Sequence, residues 1–402
     1  MWKNALDRFL QKFVRRGRIV VTFPGGSTTT YSGDAPGPDV AIAMHNPALL
    51  RRLVLSPEMG LCEGYVDGDL TIEEDDLEGL LRFGITNVNA QPSSRRRRLL
   101  ERLHSMGRWM QQFNPAGRSR ANVAHHYDLS GKLYDLFLDE DRQYSCAYFA
   151  HEGMSLGDAQ KAKKAHIAAK LRVRPGMRVL DIGCGWGGMG LTLARDHGAE
   201  VVGVTLSEEQ YKIANQRAQA EGLQDRARFD LIDYRKVEGQ FDRIVSVGMF
   251  EHVGAPHYQE YFRKLDNLLT EDGIALIHTI GRGDPPGVTS PWIRKYIFPG
   301  GYVPSMSEMS AAIERSSLIT TDLEVWRLHY AETLRHWYDR FTARIEEARK
   351  LYDDRFCRMW RLYLKVCEMS FRLDRRVVFQ VQLARRLDAV PITRDYIYRS
   401  TN

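Results

Sequence analysis

The stretch Val179-Leu-Asp-Ile-Gly183-Cys-Gly185-Trp-Gly187-Gly188 constrains this chain more than any other. A short apolar run enters a turn dense in glycine, and a helical pattern follows at 191–197. Glycine tolerates positive φ and lets the backbone approach a ligand closely, so this pattern predicts a nucleotide-binding turn between a parallel strand and its helix. The surroundings agree. Apolar, β-branched runs at 178–182, 200–205, 227–232, 243–247 and 274–278 predict strands, and 208–222 predicts a helix. Strands alternating with helices predict an α/β fold, a parallel sheet covered by helices on both faces.

The glycine turn alone also fits a dinucleotide oxidoreductase. Two features argue against that. The strand after the turn ends at Thr205, where such an enzyme carries an acid for the ribose hydroxyls. Asp181 stands just before the turn, placed to orient it or to meet a cationic ligand. After the next strand, Asp233-Tyr234 offers an acceptor and a ring suited to an adenine.

The remainder divides around this region. Residues 1–92 are expected to form a small α+β domain, with strands at 18–23 and 27–31, a Gly/Pro-rich loop at 33–38 and a helix at 47–56. The segment 93–125, containing Arg95–Arg98, reads as a basic connector. Residues 126–402 would form the larger domain, with a helical region rich in aromatics and arginine at 331–387.

Composition narrows the partners. With 57 Lys and Arg against 51 Asp and Glu, the net charge is +6, which suits an acidic partner, either nucleic acid or an anionic membrane surface. No zinc-finger or RNP-type motif is visible, so no nucleic acid is expected. The five cysteines are unpaired in spacing, which predicts reduced thiols and no metal site. There is no apolar run of roughly 20 residues and no signal-peptide pattern at the start, so a cytoplasmic protein is expected.

From residue 126 onward the chain resembles the cyclopropane-fatty-acyl-phospholipid synthases, relatives of the mycolic acid cyclopropane synthases. The resemblance rests on His126-Tyr127-Asp128, Gln143-Tyr144-Ser145-Cys146-Ala-Tyr148, the glycine turn and Gly203-Val-Thr205-Leu-Ser-Glu-Glu-Gln210. It continues through Asp233-Tyr234-Arg, Val245-Ser-Val-Gly-Met-Phe-Glu251-His252, His278-Thr-Ile280-Gly and Trp292-Ile-Arg-Lys-Tyr-Ile-Phe-Pro299. In residues 1–90 it rests mainly on Cys62-Glu-Gly-Tyr-Val-Asp-Gly-Asp69, and implies a lipid-associated domain.

What the resemblance implies is specific. The fold would be a doubly wound, seven-stranded, Rossmann-like class I methyltransferase sheet. S-adenosylmethionine would be held by Tyr127, Ser145, the turn Gly183, Cys184, Gly185 and Gly187, and by Thr205, Gln210, Asp233 and Tyr234, with Gln210 in place of an acidic ribose ligand. A bicarbonate ion would act as base, held by Cys146, Glu251, His278, the backbone of Ile280, and Tyr330. The reaction would build cyclopropanes on the double bonds of unsaturated phospholipids at the inner face of the membrane, by a homodimer peripherally attached there.

The chemistry explains such a residue set. An alkene is a weak nucleophile and a sulfonium methyl a strong electrophile. Their reaction leaves a cation on the acyl chain, which calls for an apolar tunnel, electron-rich faces and a base. A fatty-acyl C-methyltransferase giving a branched chain shares the first step. An N- or O-methyltransferase for small molecules would need a compact polar pocket, and a non-enzymatic lipid carrier would not need the glycine turn. For membrane contact, Trp2, Leu6, Phe9, Leu10 and Phe13 share a face of an N-terminal helix beside Lys3, Arg8, Lys12, Arg15 and Arg16. The aromatics at 337–371 read as a core-facing stripe.

Overall fold

A computed structural model describes residues 1–91 and 131–399, so the 93–125 connector, Arg95–Arg98 and Tyr127 lie outside the described residues. Two compact units are present.

The larger unit spans Ser105–Thr289, Phe298–Thr333 and Arg376–Asn402, insofar as these are described. Its seven strands are β5 (Arg178–Ile182), β6 (Glu200–Thr205), β7 (Ala227–Leu231), β8 (Phe241–Val247), β9 (Leu269–Arg282), β10 (Ile319–Trp326) and β11 (Arg376–Ala384), in the order β10-β11-β9-β8-β5-β6-β7. Strands β5 to β9 pair in parallel, and β11 runs antiparallel between β9 and β10. The expectation of a helix throughout 331–387 therefore fails at its end. Arg376–Ala384 is β-branched and aromatic at alternate positions, and Val378 through Ala384 are all buried, as a strand enclosed on both faces requires.

Alternate residues of one strand feed opposite faces. On β5, Leu180 and Ile182 pack with Phe262, Leu265 and Met309 of the helices Tyr258–Leu268 and Met306–Ile313. Val179 packs on the other face with Ile167, Leu171 and Leu193 of Leu156–Leu171 and Gly188–His197. This period of two, buried on both sides, makes the sheet doubly wound. All five strand positions read from the sequence are occupied by β5 to β9.

The smaller unit combines the described part of Met1–His104 with Ser290–Ile297 and Leu334–Arg375. Its sheet has the order β2-β1-β3-β4, formed by β1 (Arg16–Thr22), β2 (Thr28–Ser32), β3 (Ala35–Met44) and β4 (Leu70–Ile72). The loop expected at 33–38 is shorter than that, because β3 begins at Ala35. Its pairing with β1 slips between Arg16 and Arg18, which lets Pro36 and Pro38 sit in a strand. Buried Asn87 closes the entry to β1: Oδ1 accepts from the amides of Arg15 (2.7 Å) and Arg16 (2.9 Å), while Nδ2 donates to the Phe83 and Arg16 carbonyls.

Segments 290–297 and 334–375, placed by the sequence reading in the 126–402 domain, join this unit instead. Helix Asp354–Leu373 lies against Leu77–Asn89 and Pro57–Asp67, and Arg358 donates to the Val66 carbonyl at 2.8 Å. Trp337, Phe341, Trp360, Tyr363 and Phe371 are buried and Phe356 is half-buried, as the core-facing reading expects. No described helix is long and apolar enough to cross a membrane.

Candidate active site

A cleft of about 1150 Å³, measured out to its open mouth, lies at the carboxyl ends of β5, β6, β7 and β8 within the larger unit. Open parallel sheets place ligands there, because the strand order reverses between β5 and β8 and the connecting loops diverge.

The glycine turn forms its floor. Gly183 and Gly185 have φ of +76° and +55°, and a side chain at Gly185 would meet no protein atom, so the backbone there faces open space. The amides of Gly183 and Cys184 donate to the Val204 carbonyl at 2.9 and 3.1 Å, which pins the turn to β6. Asp181 is 1% exposed and lines the cleft. Burial pushes its carboxyl up to about 7, against the pull of the Gly190 amide and Lys163, and its Oδ2 has no hydrogen-bond partner. Such an oriented, unsatisfied carboxyl is suited to a ligand.

Beyond β6, the Thr205 hydroxyl donates to Gln210 Oε1 at 2.8 Å, and Ser207 caps the following helix by accepting from the Gln210 amide. Both Thr205 and Gln210 line the cleft. Beyond β7, burial raises the Asp233 carboxyl, but Arg235 Nε and Nη2 donate to its two oxygens at 2.9 and 2.6 Å and hold it below the usual carboxylate range. Tyr234 stands beside it in the lining.

The structure thus brings Ser145, Asp181, Gly183, Cys184, Gly185, Thr205, Gln210, Asp233 and Tyr234 to one cleft. Gly187 does not line it. At Gly187 φ is +85°, and a Cβ would lie 2.9 Å from the Phe229 ring and 3.0 Å from Ala214 Cβ, so this glycine serves close packing. Gln143, Trp186, Ile232, Met249 and His252 also line the cleft and were not singled out by the sequence. Trp186 and Gln143 sit inside quoted motifs. Met249 and His252 sit inside the quoted 245–252 motif, and Ile232 ends a strand read from the sequence, but nothing local marks any of them as cleft residues, because the cleft is assembled from separate loops.

The residues expected to hold a base lie just outside this lining. Gly248 follows β8 with φ +67°, donates its amide to the His278 carbonyl at 2.8 Å, and lines the cleft together with Ser145. Glu251 follows on a short turn, Phe250–His252, and its Oε1 accepts the Ile280 amide at 2.7 Å. Burial pushes the Glu251 carboxyl up to about 7, against the Ile280 amide and the Thr279 hydroxyl, and Oε2 has no hydrogen-bond partner. His278 is 2% exposed. Its Nδ1 pairs with Gln380 at 3.1 Å, and burial holds the imidazole neutral.

Cys146 is fully enclosed, and burial raises its thiol far above the ordinary range, which makes it a hydrogen-bonding group and not a thiolate nucleophile. Next to it, the Ala147 amide donates to Thr333 Oγ1 at 3.0 Å, and the Phe149 amide to His329 Nδ1 at 3.1 Å. Tyr330 lies one turn before Thr333 on helix His329–Ala343, on the same side as that contact. Glu251, His278 and Ile280 therefore gather near the carboxyl ends of β8 and β9, and the Cys146 segment separately meets the helix that carries Tyr330.

A doubly wound seven-stranded sheet with its last strand antiparallel, and a glycine-floored cleft at the strand ends, defines a class I methyltransferase fold. The chain belongs to the family described as mycolic acid cyclopropane synthetase, whose pattern matches residues 115–381. It is 39% identical over 361 residues to the cyclopropane-fatty-acyl-phospholipid synthase of Escherichia coli K12, covering 89% of this chain and 90% of that protein. It is 37% identical over 350 residues to a probable fatty acid methyltransferase of Pseudomonas putida, covering 84% of each. The crystal structure of mycolic acid cyclopropane synthase CmaA1 with SAH and CTAB superposes with a TM-score of 0.64 at 33% identity, over 68% of this chain and 99% of that one.

Proposed function

We propose that the cleft binds S-adenosylmethionine and that the enzyme builds cyclopropane rings on cis double bonds of phospholipid acyl chains. The observation that carries this reading is the cleft floored by the glycine turn, with Glu251, a buried carboxyl with one oxygen unpartnered, set between its lining residues Met249 and His252. The residues present fit the cofactor: a backbone floor at Gly183–Gly185, acceptors at Asp181 and Asp233, and the Tyr234 ring. Bound there, it supplies an electrophilic methyl on a sulfonium.

The chain's own residues do the rest. The Ile280 amide and Thr279 fix the Glu251 carboxyl, and Gln380 fixes the neutral His278. On this reading Cys146, Tyr330 and the Ile280 backbone would be the further holders of an anion. These residues would hold a bicarbonate ion, which would supply a base for one methyl proton. Glu251, close to half-protonated near neutrality, shares a proton with that anion and so limits like-charge repulsion. An alternative product is a methyl-branched chain, which shares the first transfer. It is favoured by the likeness to the Pseudomonas protein.

The test is mass spectrometry of membrane lipids from cells expressing the chain. Acyl chains should gain one CH2 at the former double bond and resist hydrogenation there. A gained methyl with the double bond retained or reducible would select the alternative, and unchanged lipids would reject both.

Access to phospholipid is proposed through the helix Trp2–Phe13. Leu6 is buried, but Phe9 and its neighbours Lys3, Arg8 and Lys12 are exposed. Binding to vesicles containing anionic lipid should weaken several-fold as salt rises from 0.05 to roughly 0.5 M. Binding unaffected by salt would exclude an electrostatic contribution.

A further inference from the structure

Beneath the cleft lies a lysine that the proposed chemistry does not use. Lys163, on helix Leu156–Leu171, is 0% exposed. Its Nζ donates to Ser145 Oγ at 2.8 Å and to Gln143 Oε1 at 2.6 Å. One turn earlier, Gln160 Nε2 holds the carbonyls of Gln143 (3.2 Å) and Ser145 (2.9 Å). An ammonium has only donors, and a hydroxyl has one hydrogen and two lone pairs. With Lys163 occupying a lone pair of Ser145 Oγ from below, and no acceptor for that hydroxyl among the described residues, its hydrogen is available to the cleft that Ser145 lines.

The position of Ser145 tells which part of a ligand it meets. The cleft crosses the ends of β8, β5, β6 and β7, a span of about 14 Å at roughly 4.8 Å per strand. Asp233 and Tyr234 close the β7 end, and Ser145 lies at the β8 end, where a Cβ built on Gly248 would come 4.0 Å from Ser145 Cβ. An adenosine moiety at Tyr234 leaves the amino-acid portion at Ser145.

We propose that Lys163 is a positioning residue for the methyl donor: its ammonium turns the Ser145 hydroxyl into a donor aimed at the carboxylate of the cofactor's amino-acid end. This rests on reading the cleft as an S-adenosylmethionine site. The electrostatic setting agrees. Burial lowers Lys163 to about 8, while Asp139 and Asp141 of the adjoining loop favour its charge and Lys164 opposes it. Asp181 on β5 and His278 on β9 also feel that charge. The ammonium is therefore charged at neutral pH and is lost as pH passes about 8.

The test compares two ligands by calorimetry at pH 7: S-adenosylhomocysteine, and 5′-methylthioadenosine, which lacks the amino-acid portion. Lys163→Met should weaken the first at least 10-fold and leave the second within twofold. Ser145→Ala should do the same, and the double variant should be no worse than either single, as expected for residues acting through one contact. Lys163→Arg should restore part of the loss. Equal weakening of both ligands, additive losses, or no loss would overturn the proposal. If Lys163→Met does not fold, wild-type affinity for S-adenosylhomocysteine should still fall above pH 8 more steeply than that of Ser145→Ala; parallel profiles would overturn it. Failure of the wild-type chain to bind either ligand would instead reject the S-adenosylmethionine reading.

Discussion

Glu251→Gln should lower turnover roughly 1,000-fold while leaving the affinity for S-adenosylhomocysteine within about twofold. The substitution keeps shape and keeps an oxygen for the Ile280 amide. It removes the group that burial holds near neutrality and whose Oε2 has no protein partner. The side chain does not line the cofactor cleft, so the two readouts should separate. A pH signature goes with this. In the wild type, the carboxyl ionises as pH rises through about 7, and the new charge repels a neighbouring anion. The bicarbonate concentration needed for half-maximal rate should therefore climb above pH 7, and in the Gln variant this climb should vanish. Unchanged steady-state turnover in the variant would remove Glu251 from the chemistry.

Gly203→Val should cost about 3 kcal/mol of stability, the upper range for an overpacked core, and should cripple cofactor binding. Gly203 is buried at the centre of β6, and a Cβ there would lie 2.4 Å from the Phe229 ring and 2.9 Å from Cys184 Cβ. Phe229 is 1% exposed, so the ring has nowhere to go. The next residue, Val204, offers the carbonyl to which the glycine turn is pinned, and Thr205 ends the strand in the cleft. Thermal unfolding should drop by roughly 6–12 °C, at about 2–4 °C per kcal/mol, and the S-adenosylhomocysteine dissociation constant should rise more than 10-fold. Phe229→Ala in the same chain should recover part of both losses, because it empties the space the new side chain invades. Recovery of neither would mean that strain elsewhere in β6 is responsible.

Much of the larger unit was legible because its signals are local. Strands β5 to β9 are short apolar runs bounded by turns, and the glycine motif lies wholly between Ile182 and Met189. Strand β11 was misread as helix because arginine and aromatics continue across Asp374 without a break in composition. What makes 376–384 a strand is the gap between β9 and β10, a long-range pairing with no local mark. The same holds for 334–375: an amphipathic stripe states that one face is buried but not against which partner. The slip that admits Pro36 and Pro38 to β3 is equally a property of the pair β1/β3.

The sequence alone determined the class of sheet, the turn that floors the cleft and the acids and amides at the strand ends, since each is written within a few consecutive residues. Only the tertiary structure decided that Lys163 lies under Ser145, that Arg235 pairs with Asp233, and that Glu251 meets Ile280 and is raised by burial. The Lys163 and Glu251 outcomes depend on desolvation and on distances between separate segments of the chain, the Arg235–Asp233 pair on the local turn that the fold imposes, and a side chain's charge state is set by its surroundings and not by its own identity.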